Sequence, residues 1–118
     1  MNIDLNKLED GVKGAIASSA FVQTEVLEFL SNDKSSFVRA NVAANLNATD
    51  AILEILSKDK ESYVREKVAK NPATSGKILD YLSKDEVDSI RFEVARNENT
   101  LSETLAYLSC DEHPVIRR

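Results

Sequence analysis

The sequence has no tryptophan, one cysteine, two prolines and three glycines. Each scarcity excludes something. A lone cysteine, Cys110, cannot close an internal disulfide and suits a reducing compartment, so a cytoplasmic location is expected. With so few glycines there is no phosphate-cradling loop, and no zinc-protease or hydrolase motif is present either. No stretch approaches the roughly 20 apolar residues that span a bilayer, so no membrane partner is expected. Met1-Asn2-Ile3-Asp4-Leu5 lacks the basic start and apolar run of a secretory signal. A formal charge of -5 and a pI near 4.9 argue against a chain that coats nucleic acid, which needs a basic face. What remains, 118 residues with 42% hydrophobic and 30% charged side chains, is the composition of one soluble folded domain.

What the chain does have is repetition. Leu-Ser-x-Asp occurs at Leu30-Ser31-Asn32-Asp33, Leu56-Ser57-Lys58-Asp59, Leu82-Ser83-Lys84-Asp85 and Leu108-Ser109-Cys110-Asp111, always 26 residues apart. Arginine keeps the same step at Arg39, Arg65, Arg91 and Arg117, each after a valine or isoleucine. Val42-Ala43, Val68-Ala69 and Val94-Ala95 follow it, and so do Asn45, Asn71 and Asn97. A fixed period of this size marks an array whose units bury their apolar faces against one another.

Each unit divides into two helical patterns. Helix A carries an apolar stripe at i, i+1, i+3 and i+4: Val26, Leu27, Phe29, Leu30; Ile52, Leu53, Ile55, Leu56; Ile78, Leu79, Tyr81, Leu82; and Thr104, Leu105, Tyr107, Leu108. Helix B follows a short polar turn, with Val64, Val68 and Ala69 inward in the second unit. Ser36, Ser62 and Asp88 are expected N-caps of helix B, with Pro114 in their place in the last unit. Thr100-Leu101-Ser102-Glu103 reads as a capping box, Asn71-Pro72 as a helix stop, and Gly76 lies near a helix start. The stretch from Asp4 to about Ser19 is a degenerate helix B, diluted by Gly11, Gly14, Ser18 and Ser19 as a terminal cap should be. The expected organisation is one all-α domain over 1–118: a cap helix in 1–20, repeats at 21–45, 46–71 and 72–97, and a truncated repeat at 98–118. Its C-terminal edge, ending at Arg118, would be open to fraying, to a second copy or to a partner.

The run Asn71-Pro72-Ala73-Thr74, then Ile78-Leu79 to Leu82-Ser83-Lys84-Asp85, then Ile90-Arg91 to Val94-Ala95 and Asn97, resembles the leucine-rich repeat variant (LRV), itself close to HEAT-like repeats. The Asp-to-Arg spacing of six in every unit also resembles the HEAT signature. The resemblance covers residues 22–118 and implies an α-solenoid, a superhelix of short paired helices with helix B on the concave face. It says little about function, because such arrays scaffold many partners. Some LRV proteins are associated with an iron–sulfur cysteine cluster; with one cysteine here, that feature is not carried over, and no cofactor is expected.

Arg39, Arg65 and Arg91 stand close to the positive start of helix B, where a cation is disfavoured. A rule broken in every unit calls for a structural partner. The HEAT resemblance implies a ladder of Asp33, Arg39, Asp59, Arg65, Asp85, Arg91, Asp111 and Arg117 running between units. The recurring asparagines are expected to adopt a left-handed backbone or to bind their own main chain at a helix end. Cys110, Asp111, Glu112 and His113 could each bind a metal, but adjacent side chains diverge and no second ligand pair exists, so no metal site is expected.

Positions that vary between units are the better candidates. The outward side of helix B carries Phe37, Ala40, Asn41 and Ala44, then Tyr63, Glu66, Lys67 and Lys70, then Ser89, Phe92, Glu93 and Arg96. Aromatics among mixed charges compose binding hot spots, although Phe37, Tyr63 and Phe92 could equally pack between units. The leading expectation is a non-catalytic module that binds a protein or peptide along this face. A nucleic-acid-binding HEAT-like protein is the alternative, disfavoured by charge and by the lack of tryptophan. A lyase or modifying factor is the remote one, since no nucleophile–base pair is visible.

Overall fold

The computed structural model describes residues 4–117 and shows an all-helical chain, with eight α-helices and no strand among those residues. After a single 3-10 turn at Leu5–Lys7 come α1 (Asp10–Ala17), α2 (Thr24–Leu30), α3 (Ser36–Ala44) and α4 (Asp50–Leu56). Then follow α5 (Ser62–Lys70), α6 (Gly76–Leu82), α7 (Asp88–Arg96) and α8 (Ser102–Leu108). Helix starts inherit the period of the sequence: α2, α4, α6 and α8 begin 26 residues apart, as do α1, α3, α5 and α7. The second set packs as one row, each helix chiefly against the next, and the first set lies alongside it. The result is elongated, 53 × 20 × 17 Å.

The Leu-Ser-x-Asp motif builds the end of each short helix. Leu30, Leu56, Leu82 and Leu108 are buried, each worth about 2 kcal/mol of apolar transfer. Ser31, Ser57, Ser83 and Ser109 turn their hydroxyls back to the carbonyl three residues earlier, at 2.5–2.6 Å, which closes the helix. The core is completed by Val38, Val42, Val64, Val68, Ile90 and Val94 from the row of nine-residue helices, with small Ala17, Ala43 and Ala69 fully buried beside them. Two glycines sit at close approaches, Gly14 between α1 and α3 and Gly76 between α6 and the loop before α8. A Cβ on Gly14 would meet the Phe37 ring, and one on Gly76 would lie 2.8 Å from Leu101 and 2.9 Å from the Asn99 carbonyl.

Several local expectations are corrected. The N-caps of α3, α5 and α7 are Ser35, Glu61 and Val87; Ser36, Ser62 and Asp88 are the first helical residues, and none caps by its side chain. The preceding aspartate holds the loop instead: Asp33, Asp59 and Asp85 ahead of α3, α5 and α7, and Asp111 ahead of the final turn, accept from the backbone N–H two residues on, at 2.9–3.0 Å. Thr100 forms no capping box, because its hydroxyl donates to the Val94 carbonyl of α7 at 2.6 Å. Thr74 makes the same bond to Val68, while Thr49 and Ser75 cap α4 and α6. Asp4–Ser19 is not one helix but the 3-10 turn and α1. Pro114–Ile116 forms a turn rather than a helix, with Ile116 buried; Arg118 lies outside the described residues, as do Met1-Asn2-Ile3.

Candidate functional site

The recurring aspartates and arginines assemble into an inter-unit ladder with three Arg–Asp rungs. Arg39 Nε donates to Asp59 Oδ2 at 2.7 Å, Arg65 to Asp85 at 2.8 Å and Arg91 to Asp111 at 2.7 Å, each partner lying 20 residues ahead. A second nitrogen, Nη1, reaches back to the carbonyl of Asp33, Asp59 or Asp85 within its own unit, at 2.7–2.9 Å. Each guanidinium therefore ties its own loop to the next aspartate, which in turn holds the next loop. Lys13 begins the series on Asp33 at 2.7 Å. Arg117 Nη1 donates to the Asp111 carbonyl at 3.1 Å, and among the described residues it has no carboxylate partner.

This ladder also sets titration. Burial pushes Asp33 and Asp59 up, but Lys13 and Arg39, with the backbone donors of Ser35 and Glu61, hold both below the ordinary aspartate range. Arg91 does the same for Asp111. A depressed folded pKa contributes stability above the unfolded value of about 3.9 that is lost as pH falls through it. Lys13, Arg39, Arg65 and Arg91 are raised by their aspartates and so lose nothing at neutral pH. Thermal stability is therefore expected to stay level from pH 7 to about 5 and to fall steeply below about pH 4. Asp59→Asn should blunt that acid loss in melts recorded across the range.

A second ladder runs through the asparagines. Asn71 Nδ2 donates to the carbonyls of Ala43 and Asn45 in the preceding unit, at 2.8 and 2.9 Å, while its Oδ1 accepts from Ala73 N–H. Asn45 bonds Ala17 and Ser19 in the same way, and Asn97 bonds Ala69 and Asn71. The expected link to each residue's own main chain is present, but the backbone is extended rather than left-handed, with φ between −69 and −75°. The bonds between units had no sequence signal beyond the recurrence itself.

The surface candidates divide. Phe37 is 53% exposed and Tyr63 43%, with Tyr63 also bonding Ser36 through its hydroxyl. Lys67, Lys70 and Arg96 are exposed, Asn41 is half-buried with its amide on the Phe37 carbonyl, and Glu66 is half-buried and accepts from Ser89 at 3.2 Å. Three residues depart from an outward-facing reading. Glu93 is buried between Lys70 at 3.8 Å and Arg96 at 3.5 Å, Ala40 is buried, and Phe92 packs against the core under the Arg96 guanidinium. Beside them a cavity of about 380 Å³ is lined by Lys70, Pro72, Glu93, Arg96, Glu98 and Asn99.

The other helix row holds what sequence reasoning missed. Phe29, Ile55, Tyr81 and Tyr107, assigned to the apolar stripe, form an exposed column, each 43–56% accessible. Lys58 and Lys84 lie over the Tyr81 and Tyr107 rings at 5.8 and 5.7 Å. Recurrence at four equivalent positions could have revealed the column, but not its exposure.

Cys110 is exposed, Asp111 is committed to Arg91, Glu112 lies 4.0 Å from the same guanidinium, and His113 Nε2 lies 3.6 Å from Asp88. Among the described residues no three of His, Cys, Asp and Glu gather as a metal-ion set, and no helix is long and apolar enough to cross a membrane. Comparison with family models, with curated proteins and with solved structures finds no match to this chain.

Proposed function

We propose that this chain is a non-catalytic α-solenoid of the HEAT-like and LRV kind, working in the cytoplasm as a protein- or peptide-binding module along the row α3, α5 and α7. The single observation that carries the reading is the division of labour between polar side chains. The recurring Asp, Arg and Asn residues, Arg117 excepted, are committed to links between units, whereas Phe37, Tyr63, Lys67, Lys70 and Arg96, which vary from unit to unit, are exposed on one row. A rigid scaffold that varies its exposed aromatics and cations along one face matches the anatomy of a recognition surface.

The test is capture of a protein partner from a lysate of the source cells. Tyr63→Ala/Lys67→Glu alters two partly exposed side chains and removes the Tyr63–Ser36 hydrogen bond, so its unfolding profile is recorded beside that of the parent chain. Loss of a captured partner by that variant, with folding unchanged, supports binding on this row. Retention of the partner would move the interface to the column of Phe29, Ile55, Tyr81 and Tyr107 or to the C-terminal edge.

A further inference from the structure

Charge is spread unevenly along the row of α2, α4, α6 and α8. The first two helices carry four carboxylates, Glu25, Glu28, Asp50 and Glu54, and neither has a lysine or arginine. All four are exposed, and among the described residues none has an ion-pair partner. Glu28 and Glu54 hold one repeat position, in the last turn of their helices, where the negative helix end disfavours an anion. In the next unit that position is Asp80, and the fold satisfies it: Asp80 accepts from Thr104 at 2.8 Å and lies 3.7 Å from Lys84. Glu28 and Glu54 have no such compensation. Directly after them stand Phe29 and Ile55, 43% and 56% exposed. Lys13 and Lys34 border Phe29, but Asp10 and Asp33 line the same cavity and balance them. Lys58, beyond α4, leans over the Tyr81 ring of the next unit.

We propose that the outer face of α2 and α4 docks a basic amphipathic helix of a partner protein, its apolar side chains on Phe29 and Ile55 and its cations against the four carboxylates. This surface is separate from the row α3, α5 and α7 and does not depend on what that row binds. Charge selects the class of partner, because the charged groups of the two helices are of one sign, unpaired, and flank two exposed apolar side chains. The acidic stretch ends at α6, which brings Lys77. Nucleic acid and anionic membranes are repelled by the same charge. Spacing selects a helix. Helices of successive units stand about 8–10 Å apart, and residues seven apart on one helix are separated by about 10.5 Å. One heptad of the partner therefore reaches from Phe29 to Ile55.

The experiment is fluorescence anisotropy with a labelled peptide made of two copies of Leu-Lys-Lys-Leu-Ala-Lys-Ala. One control peptide carries glutamate for every lysine, and a second carries serine for every leucine. The basic amphipathic probe should bind at 25 mM salt and weaken at least about tenfold by 300 mM, and the glutamate probe should not bind. Glu28→Lys/Glu54→Lys should weaken binding about tenfold or more with folding intact, since both side chains are exposed and a cation suits a helix end. Glu86→Lys/Glu98→Lys makes the same change of net charge at exposed sites in other units and should shift binding less than about twofold. Ile55→Ser should cost about threefold to tenfold. No binding of the basic probe at 25 mM salt, or equal losses in the two charge-reversed variants, would overturn the proposal. So would a serine probe that binds as tightly as the leucine one, because the apolar anchors would then contribute nothing. Loss of the probe in Tyr63→Ala/Lys67→Glu would place the peptide on the other row and also overturn it. Dimerisation of the parent chain in sedimentation, abolished by Glu28→Lys/Glu54→Lys, would give the face to a second copy instead.

Discussion

Asn71→Ala is expected to lower the stability of the fold by about 3–4 kcal/mol, the largest effect of any single polar truncation in the chain. Asn71 is 2% exposed and makes three hydrogen bonds at once. Two of them satisfy carbonyls at the end of α3, which belongs to the preceding unit. Truncation loses about 1 kcal/mol per bond and leaves the Ala43 and Asn45 carbonyls facing a void too apolar to hydrate well. Asn71→Asp should be no better, because a carboxylate cannot donate to those carbonyls and sets its lone pairs against theirs. Asn47→Ala is the matched control: Asn47 is exposed and bonds the Ala20 carbonyl at 2.8 Å, so its loss should cost less than about 1 kcal/mol. Urea unfolding of the three variants measures the difference. Equal midpoints for Asn71→Ala and the parent would show that the units do not depend on the asparagine ladder.

Arg65→Ala is expected to cost about 2–3 kcal/mol, below the range for a fully buried pair because the guanidinium keeps some contact with water. The truncation breaks two links together, the pair with Asp85 and the bond to the Asp59 carbonyl. It also leaves the Asp85 carboxylate, whose side chain is 9% accessible, without its partner. Arg65→Lys should recover less than half of the loss. A lysine is a point charge, and the natural lysine of this series, Lys13, bonds Asp33 but among the described residues reaches no loop carbonyl as the arginines do. In a double-mutant cycle with Asp85→Ala the two losses should be strongly non-additive, since both remove one contact. Additive losses would mean that the pair is geometrically close but energetically uncoupled.

The two ladders explain how a chain with so few glycines and prolines turns so often. Each unit changes direction twice, and each turn is stabilised by side chains rather than by special backbone. Among the described residues no non-glycine φ is positive. The aspartates hold the loops entering α3, α5 and α7, and the asparagines hold the loops leaving them. This substitution of side chain for backbone was visible in the sequence only as recurrence. Serine before helix B suggested an ordinary N-cap, yet the aspartate three residues earlier takes that part in each loop.

Periodicity in the sequence determined a great deal by itself. A step of 26 residues set the spacing of the helices, assigned Leu30, Leu56, Leu82 and Leu108 to the core, and singled out the Asp, Arg and Asn positions as special. It could do so because side-chain direction along a helix follows from spacing, and because equivalent positions share an environment when units are alike. Tertiary structure alone decided which unit each polar side chain reaches: Arg65 goes forward to Asp85 and Asn71 goes back to Ala43. It alone decided that Phe92 and Glu93 sink while Phe29, Ile55, Tyr81 and Tyr107 stay exposed. Both outcomes depend on how neighbouring helices tilt against one another, and that tilt is set by the packing of side chains far apart in the chain, which no local spacing encodes.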